Sequence, residues 1–410
     1  MAAFQQLSLG SFAGLPVTRY EITLRATAAA QLPAFPGSAL RGAFGHALKR
    51  AVCVMPHGDC ARCLVATRCI YPYVFETPWP AALAERHRAQ QNAPHPYLLD
   101  PPVYRVLRTA SAAAPVNAAL ATQAHHAALP QHHSAPAQDG ERAETLCHSD
   151  AVATLAAAEM NPAEPSNAAA PPRPGKWARE VTLAADDTLV FGLTLLGRAH
   201  EHLPFLIYAV HEMAEQGLSV RRHRFELTQV ARLAPDGARA VIYTGATQQL
   251  ASDSAPPAQL TDWIAARLAE FAPAAGASLR LRFTTPLRIV KRDDLQTRLS
   301  FELLARNLSR RVTLLLAAHG TGAPELDYHG LLARAAQVET VSSRLRWWDW
   351  GRWSNRQQTR MKLGGLVGEV EFGGEALAEF LPLLAAGEVL RVGSGTSFGL
   401  GRYELVGGER

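Results

Sequence analysis

Four short stretches concentrate the side chains that can do chemistry. In "GSALRGAFGHALKRAVC" (37–53) Leu40, Phe44, Leu48 and Ala51 recur at helical spacing, so His46, Lys49 and Arg50 project together as i, i+3 and i+4. An imidazole gives and takes protons near neutral pH, and a neighbouring ammonium stabilises developing negative charge. Gly42 and Gly45 weaken that helix by roughly 1 kcal/mol each relative to Ala, which points to close approach by another group. Cys53, Cys60, Cys63 and Cys69 follow within seventeen residues, the last three as C-x2-C-x5-C. Four thiolates suit a tetrahedral zinc and equally an iron–sulfur cluster. With every ligand supplied by the chain, such a metal would be structural.

The third stretch, "RLRWWDWGRWSNRQQTRMKLGG" (344–365), holds four of the seven tryptophans. From Arg344 to Lys362 it carries six cations (Arg344, Arg346, Arg352, Arg356, Arg360, Lys362) against Asp349 alone, a local excess equal to the chain's net charge of +5. Guanidinium forks pair with phosphates and stack on rings, and indoles stack on bases. Alternation along a strand sends half the side chains inward, so Trp347 or Trp348 is expected inside, with Trp350 and Trp353 outside. The fourth stretch, "VGSGTSFGLGRYEL" (392–405), places Gly393, Gly395, Gly399 and Gly401 where backbone N–H groups could approach a phosphate closely. It lies between a helix and a strand, the reverse of the dinucleotide-binding order, and no P-loop lysine follows.

Length and composition suit two or three domains with ample core; nearly all the basic residues are Arg. The first residues have no charged segment followed by an apolar run, and no apolar run nears the roughly 20 residues of a membrane span. The chain therefore reads as cytosolic, with no membrane partner. Clustered cysteines in that compartment indicate metal rather than disulfides.

The elements that must position these groups repeat. Residues 18–28 alternate as a strand, 36–53 form a helix, 179–199 two strand-like runs around an Asp-Asp turn, 201–218 a helix and 221–233 a strand. In the second half, 278–290 are strand, 300–320 helix, the ribbon leads into "LGGLVGEVEFGG", 375–388 are helix and 402–407 strand. Two βαββαβ units in series imply an α+β chain of two tandem ferredoxin-like modules. The boundaries read 1–240, a linker with a helix at 241–277, and 278–410, with a Cys-cluster loop at 53–75. Residues 109–175, rich in Ala, Pro, His and Ser, read as a disordered insertion, including His125, His126, His132, His133 and Cys147.

The glycine-rich tail, the preceding "RQQTRMKLGGLVGEVEF" and the early "LPAFPGSALRGAFGHALKR" together resemble the CRISPR-associated RAMP endoribonucleases that cut precursor CRISPR RNA within its repeats. The resemblance spans residues 17 to about 105 and 180 to 405; the insertion departs from the family's compact pattern. It implies paired RRM-like modules and metal-independent cleavage by the RNA's own 2′-hydroxyl, leaving 2′,3′-cyclic phosphate and 5′-hydroxyl ends. It also implies a first-helix histidine as general acid/base facing the glycine-rich loop. On this reading His46 and Lys49 are catalytic, and no cofactor takes part. Arg41, Arg50, the cations at 344–362, Trp350, Trp353 and the four tail glycines contact precursor and mature CRISPR RNA, and no small molecule is the substrate.

His329 stands next in line as base. Tyr20, Tyr73, His200, His202 and His211 read as structural, and His223 among arginines reads as a contact to RNA or solvent. The competing function is a non-catalytic RAMP subunit that binds CRISPR RNA and scaffolds an effector complex with other subunits. A DNA-binding finger built on the cysteines is disfavoured by their spacing.

Overall fold

The computed structural model describes residues 7–55, 59–87, 92–102, 180–251, 255–270, 278–291, 294–324, 326–354 and 359–407. Of these, the side chains of 61, 350–354, 359–363 and 407 are not described. The 109–175 insertion lies outside the described residues. All the described residues belong to one compact unit.

The first module contains β1 (Pro16–Ala26), β2 (Ala30–Pro33), α1 (Gly37–Val52), the short α2 (Ala81–Ala84), β3 (Tyr97–Asp100), β4 (Glu180–Leu183), β5 (Thr188–Leu196), α3 (Leu203–Gln216), β6 (Phe225–Leu233), β7 (Arg239–Thr244) and β8 (Gln249–Leu250). Its main sheet runs β3-β5-β1-β6-β7-β8, antiparallel throughout, with Ile22 opposite Phe191 and Val230. The four strands β3-β5-β1-β6 with α1 and α3 form the ferredoxin-like unit. Leu40, Phe44, Ala47 and Leu48 of α1 and Leu206, Val210 and Met213 of α3 share one core with Ile22, Leu24, Phe191 and Leu193.

Two expectations need correction here. The runs around the Asp-Asp turn do not both enter this sheet: β4 pairs with β2 as a separate ribbon, and the missing strand is β3. The first module's sheet also continues past 240, through β7 and β8.

Then β9 (Ala258–Gln259) pairs with the start of β1, and α4 (Leu260–Glu270) leads on. The second module comprises β10 (Leu279–Leu287), a small hairpin of β11 (Val290–Lys291) and β12 (Asp294–Leu295), α5 (Phe301–His319), α6 (Tyr328–Ala335), β13 (Glu339–Ser343), β14 (Arg346–Ser354), β15 (Thr359–Gly373), α7 (Leu381–Leu390) and β16 (Tyr403–Gly407). Its sheet, β13-β15-β10-β16, repeats the first module's order. Ser300 caps α5, its hydroxyl accepting from the Leu303 N–H at 3.3 Å. The modules are not separate bodies. Phe12, Leu15, Val17 and Leu196 are buried in one cluster with α4 and the second module, and the Trp263 indole donates to the Val17 carbonyl at 3.3 Å. No described helix is long and apolar enough to cross a membrane.

Candidate nucleic-acid interface

Helix α1 divides as its periodicity requires: Leu40, Phe44, Ala47 and Leu48 are buried, His46 and Arg50 are exposed, and Lys49 is half-buried. Its N-cap is Pro36, so Ser38 does not cap it. Beneath it lies an aromatic layer. Phe75 packs on Phe44, Tyr71 and Tyr97 with ring centroids 5.6, 5.4 and 5.1 Å away. A Cβ at Gly45 would come within 2.8 Å of the Phe75 ring, which accounts for that glycine; around Gly42 the space is open. Two cations of α1 sit on this layer: the Arg41 guanidinium lies 4.8 Å from the Phe398 ring centre and 5.5 Å from that of Phe75, and the Lys49 ammonium 5.4 Å from that of Tyr71.

Gly37 and Arg41 of α1 both meet Phe398 of the glycine-rich loop. A Cβ at Gly37 would stand 1.9 Å from the Phe398 carbonyl oxygen. His46, five residues on from Arg41, is turned about 140° around a helix of 3.6 residues per turn, so it opens to solvent rather than onto the loop.

The loop glycines all have positive φ, between 74° and 86°. Their closeness is to protein. A Cβ at Gly393 would strike the Arg288 carbonyl, at Gly399 the Pro101 ring, and at Gly401 the Val392 carbonyl. The N–H groups of Ser394, Phe398, Gly399, Leu400 and Gly401 donate to carbonyls of the chain. Close packing and positive φ thus account for glycine at these positions.

The ribbon is a long hairpin, with β14 paired to the first half of β15 from Arg346↔Val367 to Ser354↔Thr359. The second half of β15 belongs to the sheet. Trp348 is buried at its root, edge-on to Phe35 at 6.1 Å, in a cluster with Val367 and Leu400. Phe35 precedes α1 and Leu400 belongs to the glycine-rich loop, so α1, loop and hairpin meet at this point. Trp347 is half-buried and its indole donates to Asp349 at 2.8 Å. Arg344 and Arg346 are exposed. For Trp350, Arg352, Trp353, Arg360 and Lys362 the backbone alone is described, and Arg356 lies outside the described residues.

Among the described histidines, only His46 and His329 are exposed. His95 and His319, which the sequence reading did not single out, converge at the seam between the modules. Burial first, then the nearby charges of Arg41 and Arg311, push His95 down to about 4. Its Nδ1 lies 2.8 Å from the Thr77 hydroxyl. Burial also lowers His319, whose Nε2–H donates to the Pro94 carbonyl at 2.6 Å. Neutral, half-buried and engaged, both hold the seam. His200 Nδ1 donates to the Gly197 carbonyl at 2.8 Å, and His202 packs edge-on against Tyr73. His223 is half-buried, with its Nε2 turned inward. Tyr20 is in the core, and burial drives Tyr73 up to about 12.

The four clustered cysteines are free and half-buried, and all line one small cavity. No three His, Cys, Asp or Glu side chains among the described residues stand close enough to hold a metal ion as they are.

Comparison with known proteins follows the same division. Residues 15–117 and 143–255 match the family AF_1859_N, described as an N-terminal domain, and residues 281–403 match "CRISPR-associated endoribonuclease Cas6". Similar solved structures include a partial Cas6-RT-Cas1–Cas2 complex, at 12% identity and a TM-score of 0.50 over 97% of this chain. This chain spans 47% of that polypeptide. A Cas6 product complex aligns at 14% identity and a TM-score of 0.45, covering 95% of this chain and 99% of the other. Cas6 of Thermus thermophilus aligns at 13% and 0.45, covering 96% and 100%. At these identities the likeness is one of fold. No protein of curated function matches the chain.

Proposed function

Because this chain belongs to the Cas6 family of CRISPR-associated endoribonucleases, we propose that it cuts precursor CRISPR RNA within its repeats through the exposed face of α1. A base removes the proton of a 2′-hydroxyl, the oxygen attacks the adjacent phosphate, and an acid protonates the departing 5′ oxygen. The products are a 2′,3′-cyclic phosphate and a 5′-hydroxyl, and no metal is required for these steps. His46 serves as the general acid/base, and Lys49, one turn away, stabilises charge on the phosphorane.

The observation that carries this reading is exposure. An RNA phosphodiester can reach His46 and not the seam histidines, and of the two exposed histidines His46 alone has Lys49 and Arg50 within a turn. Arg344, Arg346 and the hairpin beyond them supply phosphate contacts, with Trp350 and Trp353 as stacking surfaces for unpaired bases. The glycine-rich loop contributes by seating α1 and the hairpin root. Family membership favours the enzyme over the scaffold reading. The similar Cas6-RT-Cas1–Cas2 complex supports other CRISPR proteins as a further partner class for this chain.

The test is a labelled repeat RNA incubated with purified protein in EDTA. Cleavage to a cyclic-phosphate end, abolished by a single 2′-deoxy substitution at the cut site, is expected. Cleavage of the 2′-deoxy substrate, or tight binding without cleavage in any buffer, would overturn the proposal.

A further inference from the structure

The cysteine segment has almost nothing of its own to fold around. After α1 ends, the described residues of 53–69 form two short 3₁₀ turns, Cys60–Arg62 and Ala66–Arg68, and no longer element. Among its described residues the backbone bonds are local: Arg62 N–H to Asp59, Cys63 to Cys60, Ala66 to Cys63, Arg68 to Val65, Cys69 to Ala66. Its larger apolar side chains face water: Leu64 is 98% exposed, Val54 75% and Met55 52%. Such a segment buries too little to offset the entropy of ordering it. Yet its far end is the Tyr71–Phe75 layer that supports Arg41 and Lys49.

The thiols, by contrast with their exposed neighbours, are all half-buried. In a 3₁₀ turn side chains three apart eclipse one another, which sets Cys60 and Cys63 on the same side. Cys69 follows the second turn, six residues beyond Cys63. Cys53 is the C-cap of α1, its N–H held by the Lys49 carbonyl at 2.9 Å. All four line the same cavity, together with Val54, Met55, Val65, Tyr71 and Pro72. Four half-buried thiols in one apolar cavity, drawn from a helix end and two turns, form a ligand set without a hydrophobic alternative.

We propose that Cys53, Cys60, Cys63 and Cys69 bind one structural metal centre that fastens the segment to the end of α1. Four thiolates complete the shell of a single tetrahedral Zn²⁺, the simplest occupant of such a set. Binding draws the sulfurs to about 3.8 Å from one another, the edge of a tetrahedron with Zn–S near 2.3 Å. No ligand position remains for water, so the ion holds structure and takes no part in RNA cleavage. This assignment stands apart from the RNA-cleaving role of His46.

The full chain, purified anaerobically, is expected to carry about one zinc per molecule with its four clustered thiols unreactive to a thiol reagent until the metal is stripped. Titrating the stripped wild-type chain with Co²⁺ should give the absorption bands of a tetrahedral tetrathiolate ion. Stripping should lower the melting temperature by several degrees and open residues 53–69 to protease. Iron and sulfide in place of zinc, lost in Cys63→Ser, would support the four-thiolate centre with a cluster as its occupant. Metal below about 0.3 per chain with four reactive thiols, a disulfide among the four, or metal retained in Cys63→Ser would overturn it. The wild-type titration keeps the test decisive if Cys63→Ser fails to fold.

Discussion

Asp100 closes β3 and its carboxylate Oδ1 accepts from the Nε of Arg391 at 2.9 Å and from its Nη2. Both side chains are buried, Arg391 at 2% exposure and Asp100 at 8%. Burial alone would push the carboxyl up, but Arg391, Arg402 and Arg19 outweigh it and hold Asp100 well below the usual carboxylate range. Asp100→Ala leaves Arg391 buried without its counter-charge, near two further guanidiniums, at a residue whose φ of 65° already strains the backbone. Breaking a buried pair in this way costs about 3–5 kcal/mol. At about one degree per kcal/mol for a chain of 410 residues, the melting temperature should fall by roughly 3–6 °C.

The assay is thermal unfolding of wild type, Asp100→Ala, Arg391→Met and the double variant. The double variant should lose clearly less than the sum of the singles. The sign with pH follows from the depressed folded value. The stabilisation is complete above the unfolded carboxyl value near 4 and is lost as pH falls through the lower folded one. The gap between wild type and Asp100→Ala should therefore narrow from about pH 5 downward. A single variant melting within about 1 °C of wild type at pH 7, or strictly additive losses, would refute the reasoning.

His46→Ala should leave melting and repeat-RNA affinity near wild type and slow single-turnover cleavage by about two to four orders of magnitude. Lys49→Ala should slow it less. Wild-type cleavage in His46→Ala would pass the role to His329. Arg352→Ala with Arg356→Ala should weaken repeat-RNA binding and flatten its salt dependence by roughly one unit of slope per lost phosphate contact. An unchanged slope in a filter-binding titration would remove these arginines from the interface.

The repeat of strand, helix, strands, helix, strand was legible because each long element carries its own period. The apolar spacing of α1 assigns His46 to the open face, and α5 at Phe301–His319 fills the stretch 300–320 read as helix. The α+β pair of modules followed from that order; alternation left Trp347 and Trp348 as alternatives for the inside, and only the structure buries Trp348. What depended on distant segments was not legible. β3 is four residues long and buried on every side chain, so it shows neither alternation nor length to betray a strand. The shared core tying α4 to β1, and the seam of His95 with His319, join residues more than two hundred positions apart, which no local pattern records. Nor could the tail show that its glycines serve contacts to Arg288, Pro101 and Val392, since a glycine signals only that something comes close. Local periodicity is written in neighbouring residues. Which surfaces then meet is decided by the whole chain burying its apolar area at once, and that outcome only the tertiary structure displays.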